Sequence, residues 1–155
     1  GRRVGGRSFA RRCPGPPVLL RQGYLSSVPE RVVRGRIEGA QAMLTIKGRS
    51  GGASRGEWEY PVPLADAQQF LEQLCEQPVI EKYRCRIEFG GMIWEVDEFL
   101  GANAGLVIAE IELTSVDQDF ARPDWLGREV TDERRYYNHH LALHPYYSWP
   151  DADRN

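Results

Sequence analysis

From residue 18 onward the chain runs in short stretches that alternate apolar and polar positions with a period of two, the signature of strands covered on one face. "VIEKYRCRIEF" (79–89) sets Val79, Tyr83, Cys85, Ile87 and Phe89 against Lys82, Arg84 and Arg86. "RVVRGRIEG" sets Val33 and Ile37 against Arg34 and Arg36, and "AMLTIKG" sets Leu44 and Ile46 against Thr45 and Lys47. "EWEYPV" opposes Trp58, Tyr60 and Val62 to Glu57 and Glu59. In "MIWEVDEFLG", Glu95 and Asp97 face away from Trp94 and Val96; in "LVIAEIELTS", Glu110 and Glu112 face away from Val107, Ala109, Ile111 and Leu113. "VLLRQGYL" is a shorter apolar run.

Two stretches change period. "LADAQQFLEQLCEQ" places Ala67, Phe70, Leu71 and Leu74 at helical spacing, with Pro78 beyond its end. The tail "PDWLGREVTDERRYYNHHLALHPYYSW" predicts a turn and then a helix over about 133–143, stopped near Pro145. "GRSGGASRG" reads as a hairpin loop. The elements together predict an α+β fold with an antiparallel sheet. The opening "GRRVGGRSFARRCPGPP" follows neither period, so residues 1–17 are expected to be disordered or atypical, 18–149 to form the domain and 150–155 a tail.

The polar faces sort by sign. Arg34/Arg36, Lys47 and Lys82/Arg84/Arg86 stand on basic strands, whereas Glu57/Glu59, Glu95/Asp97 and Glu110/Glu112 stand on acidic ones. An antiparallel sheet whose charged face lies in water, neutralised by cross-strand pairs, accounts for this. So does a closed barrel with apolar faces outward under the helices and charged faces inward. The residues alone leave both open. A charged lumen demands counter-ions, because burying an ion is costly unless it is paired. A polyphosphate would satisfy the cations, and Mg²⁺ or Mn²⁺ the carboxylates.

Composition narrows the class. At 155 residues and 41% hydrophobic, the chain suits one globular domain. The net charge of −2 hides an asymmetry: residues 1–21 hold six arginines and no acid, leaving 14 bases against 22 acids in the other 134 residues. An arginine-rich opening can serve nucleic acid or targeting, but a solvated tail is the simpler reading. Of the 20 basic residues only Lys47 and Lys82 are lysine, and both stand on the charged faces. Three cysteines without CxxC spacing predict neither a disulfide framework nor a zinc knuckle, and a reducing cytoplasm fits them. No apolar run approaches the roughly 18 residues of a membrane span. All three histidines fall within 139–144, which leaves no Ser-His-Asp or Cys-His arrangement, and His140 with His144 lacks a third zinc ligand. The glycine-rich loop lacks the lysine and helix of a P-loop.

The ordered motifs "RQGYLS", "RVVRGRIEG", "LTIKG", "SRGEWEY", "EKYRCR", "WEVDEF", "AEIELTS", "WLGREVT" and "RYYNHHLA" resemble the CYTH superfamily, or triphosphate tunnel metalloenzymes, in its short bacterial branch. The resemblance runs from about Arg21 to Trp149. It implies an eight-stranded antiparallel β-barrel, the triphosphate tunnel, with helices packed outside. It implies that Arg34, Arg36, Lys47, Lys82, Arg84 and Arg86 bind triphosphate. It further implies that Glu57 or Glu59, Asp97, Glu110 and Glu112 bind Mg²⁺ or Mn²⁺, that Lys82 is catalytic, and that Tyr24 corresponds to the tyrosine that in some bacterial members partners a catalytic lysine of the opening strand.

The start departs from that pattern. The family opens on an ExExK strand, "EIERKFLV" in type, whereas no acid or lysine precedes Glu30 here. Residue 1 is glycine, and the shift to Arg, Gly and Pro reads as a wrong start, a shifted frame or a degenerate member, with the tunnel incomplete at its first strand. The implied activity is metal-dependent hydrolysis of inorganic triphosphate or a triphosphorylated small molecule. The alternatives are a class IV adenylate cyclase-like reaction on ATP and a non-catalytic polyphosphate or nucleotide binder. Homodimerisation stays open, and neither a membrane nor nucleic acid is the expected partner.

Overall fold

The computed structural model describes residues 2–6, 13–49, 56–115 and 117–154, the first of these by backbone alone. It divides into two compact units, Leu19–Glu81 and Gly1–Val18 with Lys82–Asn155.

In the first unit, β2 (Val18–Val28), β3 (Arg31–Glu38), β4 (Gln41–Gly48) and β5 (Glu57–Val62) pair antiparallel in the order β5-β4-β3-β2. A two-residue hairpin joins β3 to β4 and sets Glu38 opposite Gln41. Its first residue, Gly39, has φ of 60°, which a side chain at that position would resist. The apolar face is covered by α1 (Leu64–Gln73), where the helical spacing of the sequence brings Ala67 and Leu71 onto Ile37, Ala42 and Cys75. Phe70 lies flush on Gly35: a Cβ there would stand 2.2 Å from Phe70 Cε1, so only glycine admits the ring. The opposite face carries Gln22, Tyr24, Arg34, Arg36, Thr45, Lys47, Glu57 and Glu59, as the two-residue period requires.

In the second unit, β6 (Ile80–Phe89), β7 (Met92–Phe99), β8 (Val107–Ile111), β1 (Arg2–Gly6) and β9 (Leu126–Glu129) run antiparallel in that order. Gly90 and Gly91, with φ of 59° and 77°, close the β6–β7 hairpin and pair Phe89 with Met92. The core is Trp94, Val96, Val107, Ala109 and Ile111. Trp94 meets Phe120 and Trp125 edge-on at 5.6 and 5.9 Å. A second aromatic group, Tyr136, Tyr146 and Trp149, packs edge-to-face at 5.1–5.2 Å near α2 (Asn138–Leu143).

Both predicted helices occur, but the second is divided. A 3-10 turn at Arg134–Tyr136 and α2 are separated by the extended Tyr137, where no side chain caps α2. The expected turn around "WLGREV" contains β9. Trp58 is not packed beneath a helix: it is 51% exposed on β5, because the cluster beneath α1 is centred on β3 and β4.

The opening holds two further differences. Arg2–Gly6 forms β1, pairing Arg3 with Glu110 and Val4 with Ala109. Residues 7–12, and residues 50–55 of the glycine-rich loop, lie outside the described residues. Against the expectation that no disulfide forms, Cys13 and Cys85 are bonded, with Cα atoms 5.7 Å apart. A cysteine count and the absence of CxxC could not reveal this pairing, because the partners are 72 residues apart.

Candidate functional site

On β6, the two-residue spacing puts Lys82, Arg84 and Arg86 on one face, and the Gly90–Gly91 hairpin aligns Arg84 with Asp97 and Arg86 with Glu95. Arg84 is held by a bidentate fork. Its Nε donates to Asp97 Oδ1 at 2.7 Å and its Nη2 to Oδ2 at 2.9 Å, while Nη1 reaches Glu95 Oε2 at 3.4 Å. Lys82 Nζ lies 2.9 Å from the same Asp97 Oδ2. The Lys82 and Asp97 side chains are only 5% and 6% exposed. Arg86, nearer solvent, pairs with Glu95 at 3.1 Å.

Burial sets the electrostatics. It pushes the Lys82 ammonium below the usual lysine range, and the nearby Asp97 offsets this only in part. Burial would raise the Asp97 carboxyl, but the Arg84 hydrogen bonds and the Lys82 charge outweigh it and hold Asp97 below its ordinary value. For Arg84, burial acts downward and is overcome by Asp97, which raises it further.

Beside this group, a cavity of about 460 Å³ is lined by Arg86, Ile93, Glu95, Glu110, Ile111 and Glu112. Glu95 and Glu110 stand directly opposite each other in the β7–β8 register. Two carboxylates so placed repel unless a cation intervenes.

In the other unit, the predicted residues share the face opposite α1. Tyr24 is buried opposite Arg34. Arg36 donates to Glu38 at 3.4 Å, Thr45 Oγ1 donates to Glu59 at 3.1 Å, and Lys47 lies 3.8 Å from Glu57. These contacts keep Lys47, Glu57 and Glu59 on one face, with Lys47 and Glu57 partly solvated. Thus the structure unites Lys82, Arg84 and Asp97 in one buried group, and Arg86, Glu110 and Glu112 around one cavity.

Two residues escaped the sequence reading. Asn138, at the first position of α2, receives a hydrogen bond from Lys82 Nζ at 3.4 Å, and 56 residues of separation leave no local signal for it. Gln22 was visible as a period-two neighbour of Tyr24 on β2, but a neutral side chain does not stand out among charges.

A family model for the CYTH domain matches residues 16–139. The chain belongs to the CYTH family. An inorganic triphosphatase of Acetivibrio thermocellus is 53% identical to this CYTH chain over 129 residues, 83% of either protein. An inorganic triphosphatase of Nitrosomonas europaea is 38% identical over 132 residues, 81% of this chain and 85% of the relative. A solved structure of the inorganic triphosphatase NE1496 superposes with a TM-score of 0.72 at 31% identity, covering 92% of this chain and 95% of that one. The antiparallel strand-rich architecture with few helices is therefore that of a CYTH triphosphate tunnel protein.

CYTH triphosphatases depend on a metal ion in general. The donor chemistry here fits a hard divalent cation, since Glu95, Glu110 and Glu112 bring carboxylate oxygens to one cavity. Among the described residues, no three His, Cys, Asp or Glu side chains already converge on one point. Among the described residues, no helix is long and apolar enough to cross a membrane.

Proposed function

We propose that this CYTH chain is a metal-dependent phosphohydrolase acting on inorganic triphosphate. The observation that carries this reading is the convergence of two buried cations, Lys82 and Arg84, on the single carboxylate of Asp97. Arg84 keeps only a longer second contact, to Glu95 at 3.4 Å, so Asp97 is the shared short-range counter-charge of both cations, and low exposure strengthens their pull on phosphoryl oxygens. The activity of the 53% identical relative points the same way.

In this proposal Lys82, Arg84 and Arg86 bind phosphoryl oxygens, as do Arg34, Arg36 and Lys47 on the face of the other unit. Lys82 also stabilises charge developing at the reacting phosphorus, and Tyr24 is the second residue assigned to catalysis. Glu57, Glu59, Asp97, Glu110 and Glu112 are the carboxylates offered to Mg²⁺ or Mn²⁺, which when bound neutralises phosphate charge and makes water a better nucleophile. Asp97 can take that role only if phosphate oxygens replace it on Lys82 and Arg84. Substrate entry and carboxylate release are therefore coupled.

A second reading, a non-catalytic triphosphate binder, draws support from β1, where Arg3 rather than an acid stands in register with Glu110. Phosphate release from tripolyphosphate with Mg²⁺ or Mn²⁺ separates the two. Turnover establishes the hydrolase, and saturable binding without phosphate release establishes the binder. Cytoplasmic action follows from the cysteine count but sits against the Cys13–Cys85 bond, so counting free thiols in freshly isolated protein tests that location.

A further inference from the structure

We infer that Gln22 is a further donor to the anionic ligand, an inference that rests on the triphosphate reading and adds one side chain to it. Gln22 lies on β2 directly opposite Arg36 and is 2% exposed. Its Nε2 is buried without a hydrogen-bond partner. The same is true of Nε of Arg34, which stands opposite Tyr24 on the adjacent strand. Gln22 and Arg34 are thus diagonal neighbours on one face, with backbones roughly 7 Å apart in an antiparallel ladder.

A buried N–H group without an acceptor is unfavourable, and folded proteins seldom leave one so. Two on neighbouring strands call for a single acceptor with several oxygens. Three carboxylates of this face are engaged elsewhere: Glu38 by Arg36, Glu59 by Thr45 and Glu57 by Lys47. A phosphoryl group meets the requirement, because its oxygens accept from a guanidinium and an amide together. The amide contributes a donor without adding another positive charge beside Arg34 and Arg36, whose mutual repulsion would grow with a third cation. Gln22 therefore reads as a binding residue whose unsatisfied state in the free protein is relieved by ligand.

The test is calorimetric titration of tripolyphosphate into the full chain in metal-free buffer, paired with thermal unfolding. Gln22→Met keeps the length of the side chain and removes the donor. It is expected to weaken binding about ten-fold, with Tm unchanged or raised because an orphan polar group has been removed. Gln22→Glu, which sets a carboxylate beside Arg34, is expected to weaken binding further while raising Tm. Wild-type affinity in Gln22→Met overturns the inference, and so does a loss of affinity that tracks a fall in Tm in both variants. A wild-type chain that binds no tripolyphosphate removes the triphosphate reading itself, whereas normal wild-type binding with an indifferent Gln22→Met removes only the role of Gln22.

Discussion

Arg84 grips Asp97 with two parallel hydrogen bonds, of 2.7 and 2.9 Å, and Lys82 shares the second oxygen. Asp97 is thus the counter-charge for two cations that are themselves nearly sealed from water. Removing it takes the 2.9 Å partner from Lys82 and leaves Arg84 with the longer 3.4 Å contact to Glu95, so Asp97→Ala is expected to destabilise the fold by about 3–5 kcal/mol. Saturating tripolyphosphate should recover more stability in this variant than in the wild type, since the anion takes the vacant place. Thermal unfolding with and without tripolyphosphate checks both statements, and an unchanged Tm in Asp97→Ala would remove Asp97 from the centre of the charge network.

The same pair sets an acid limit. The folded-state pKa of Asp97 lies below its ordinary value of 3.8. The unfolded chain therefore binds the proton more readily, and the stabilisation is complete above that ordinary value and lost as pH falls through the folded one. Denaturant midpoints between pH 6 and pH 2 should fall most steeply below about pH 4. Asp97→Asn should flatten that limb.

Much of this network was within reach of the sequence. Period two alone places Lys82, Arg84 and Arg86 together, and a two-residue Gly-Gly hairpin at 90–91 fixes Phe89 against Met92, which by counting back brings Arg84 to Asp97. Glu95 was on the acidic face but outside the expected ligand set, because strand patterning shows the face and not which carboxylate borders a cavity. The Lys82–Asn138 and Cys13–Cys85 contacts lay beyond such counting. Each joins segments with no shared turn or ladder, so only packing brings them together. The expected helix over 133–143 ran through Tyr137 because helical spacing of apolar residues does not reveal an extended residue lacking a cap.

Asn138 is expected to act by positioning Lys82. Its Oδ1 accepts from Lys82 Nζ at 3.4 Å, a long contact that steers the ammonium without neutralising it. Asn138→Ala should lower kcat about 3- to 10-fold with little change in KM, because the lysine is aimed worse while the phosphate-binding cations remain. Asn138→Asp adds a second counter-charge at Lys82 and should raise KM instead. Steady-state kinetics on tripolyphosphate distinguishes the two, and identical changes in both variants would argue for a merely structural asparagine.

The cysteines make a chemical prediction. Cys13 and Cys85 are bonded, while Cys75 is buried beneath α1, where burial pushes its thiol up to about 11. Native protein at pH 8 should therefore resist iodoacetamide, unfolding without reductant should expose one thiol, and unfolding with reductant should expose three. Closing a loop across 72 positions constrains the unfolded chain, so reduction should lower stability by about 4 kcal/mol. Mass spectrometry after labelling reads the first result and thermal unfolding the second.

Gly35 tests how the charged face is supported from behind. It lies between Arg34 and Arg36 in β3, and the Phe70 ring of α1 rests where its side chain would be. An alanine Cβ would stand 2.2 Å from Phe70 Cε1, so Gly35→Ala must push the ring, and with it α1, away from the sheet. Overpacking of this kind costs about 1–3 kcal/mol, and it displaces the strand that carries both arginines. The variant is expected to unfold earlier and to bind tripolyphosphate more weakly. Gly35→Ala combined with Phe70→Leu, which vacates the ring, should recover part of both losses, because the clash is removed while the helix keeps an apolar contact. If Phe70→Leu brings no recovery, the fault lies in the strand backbone rather than in the ring that packs on it.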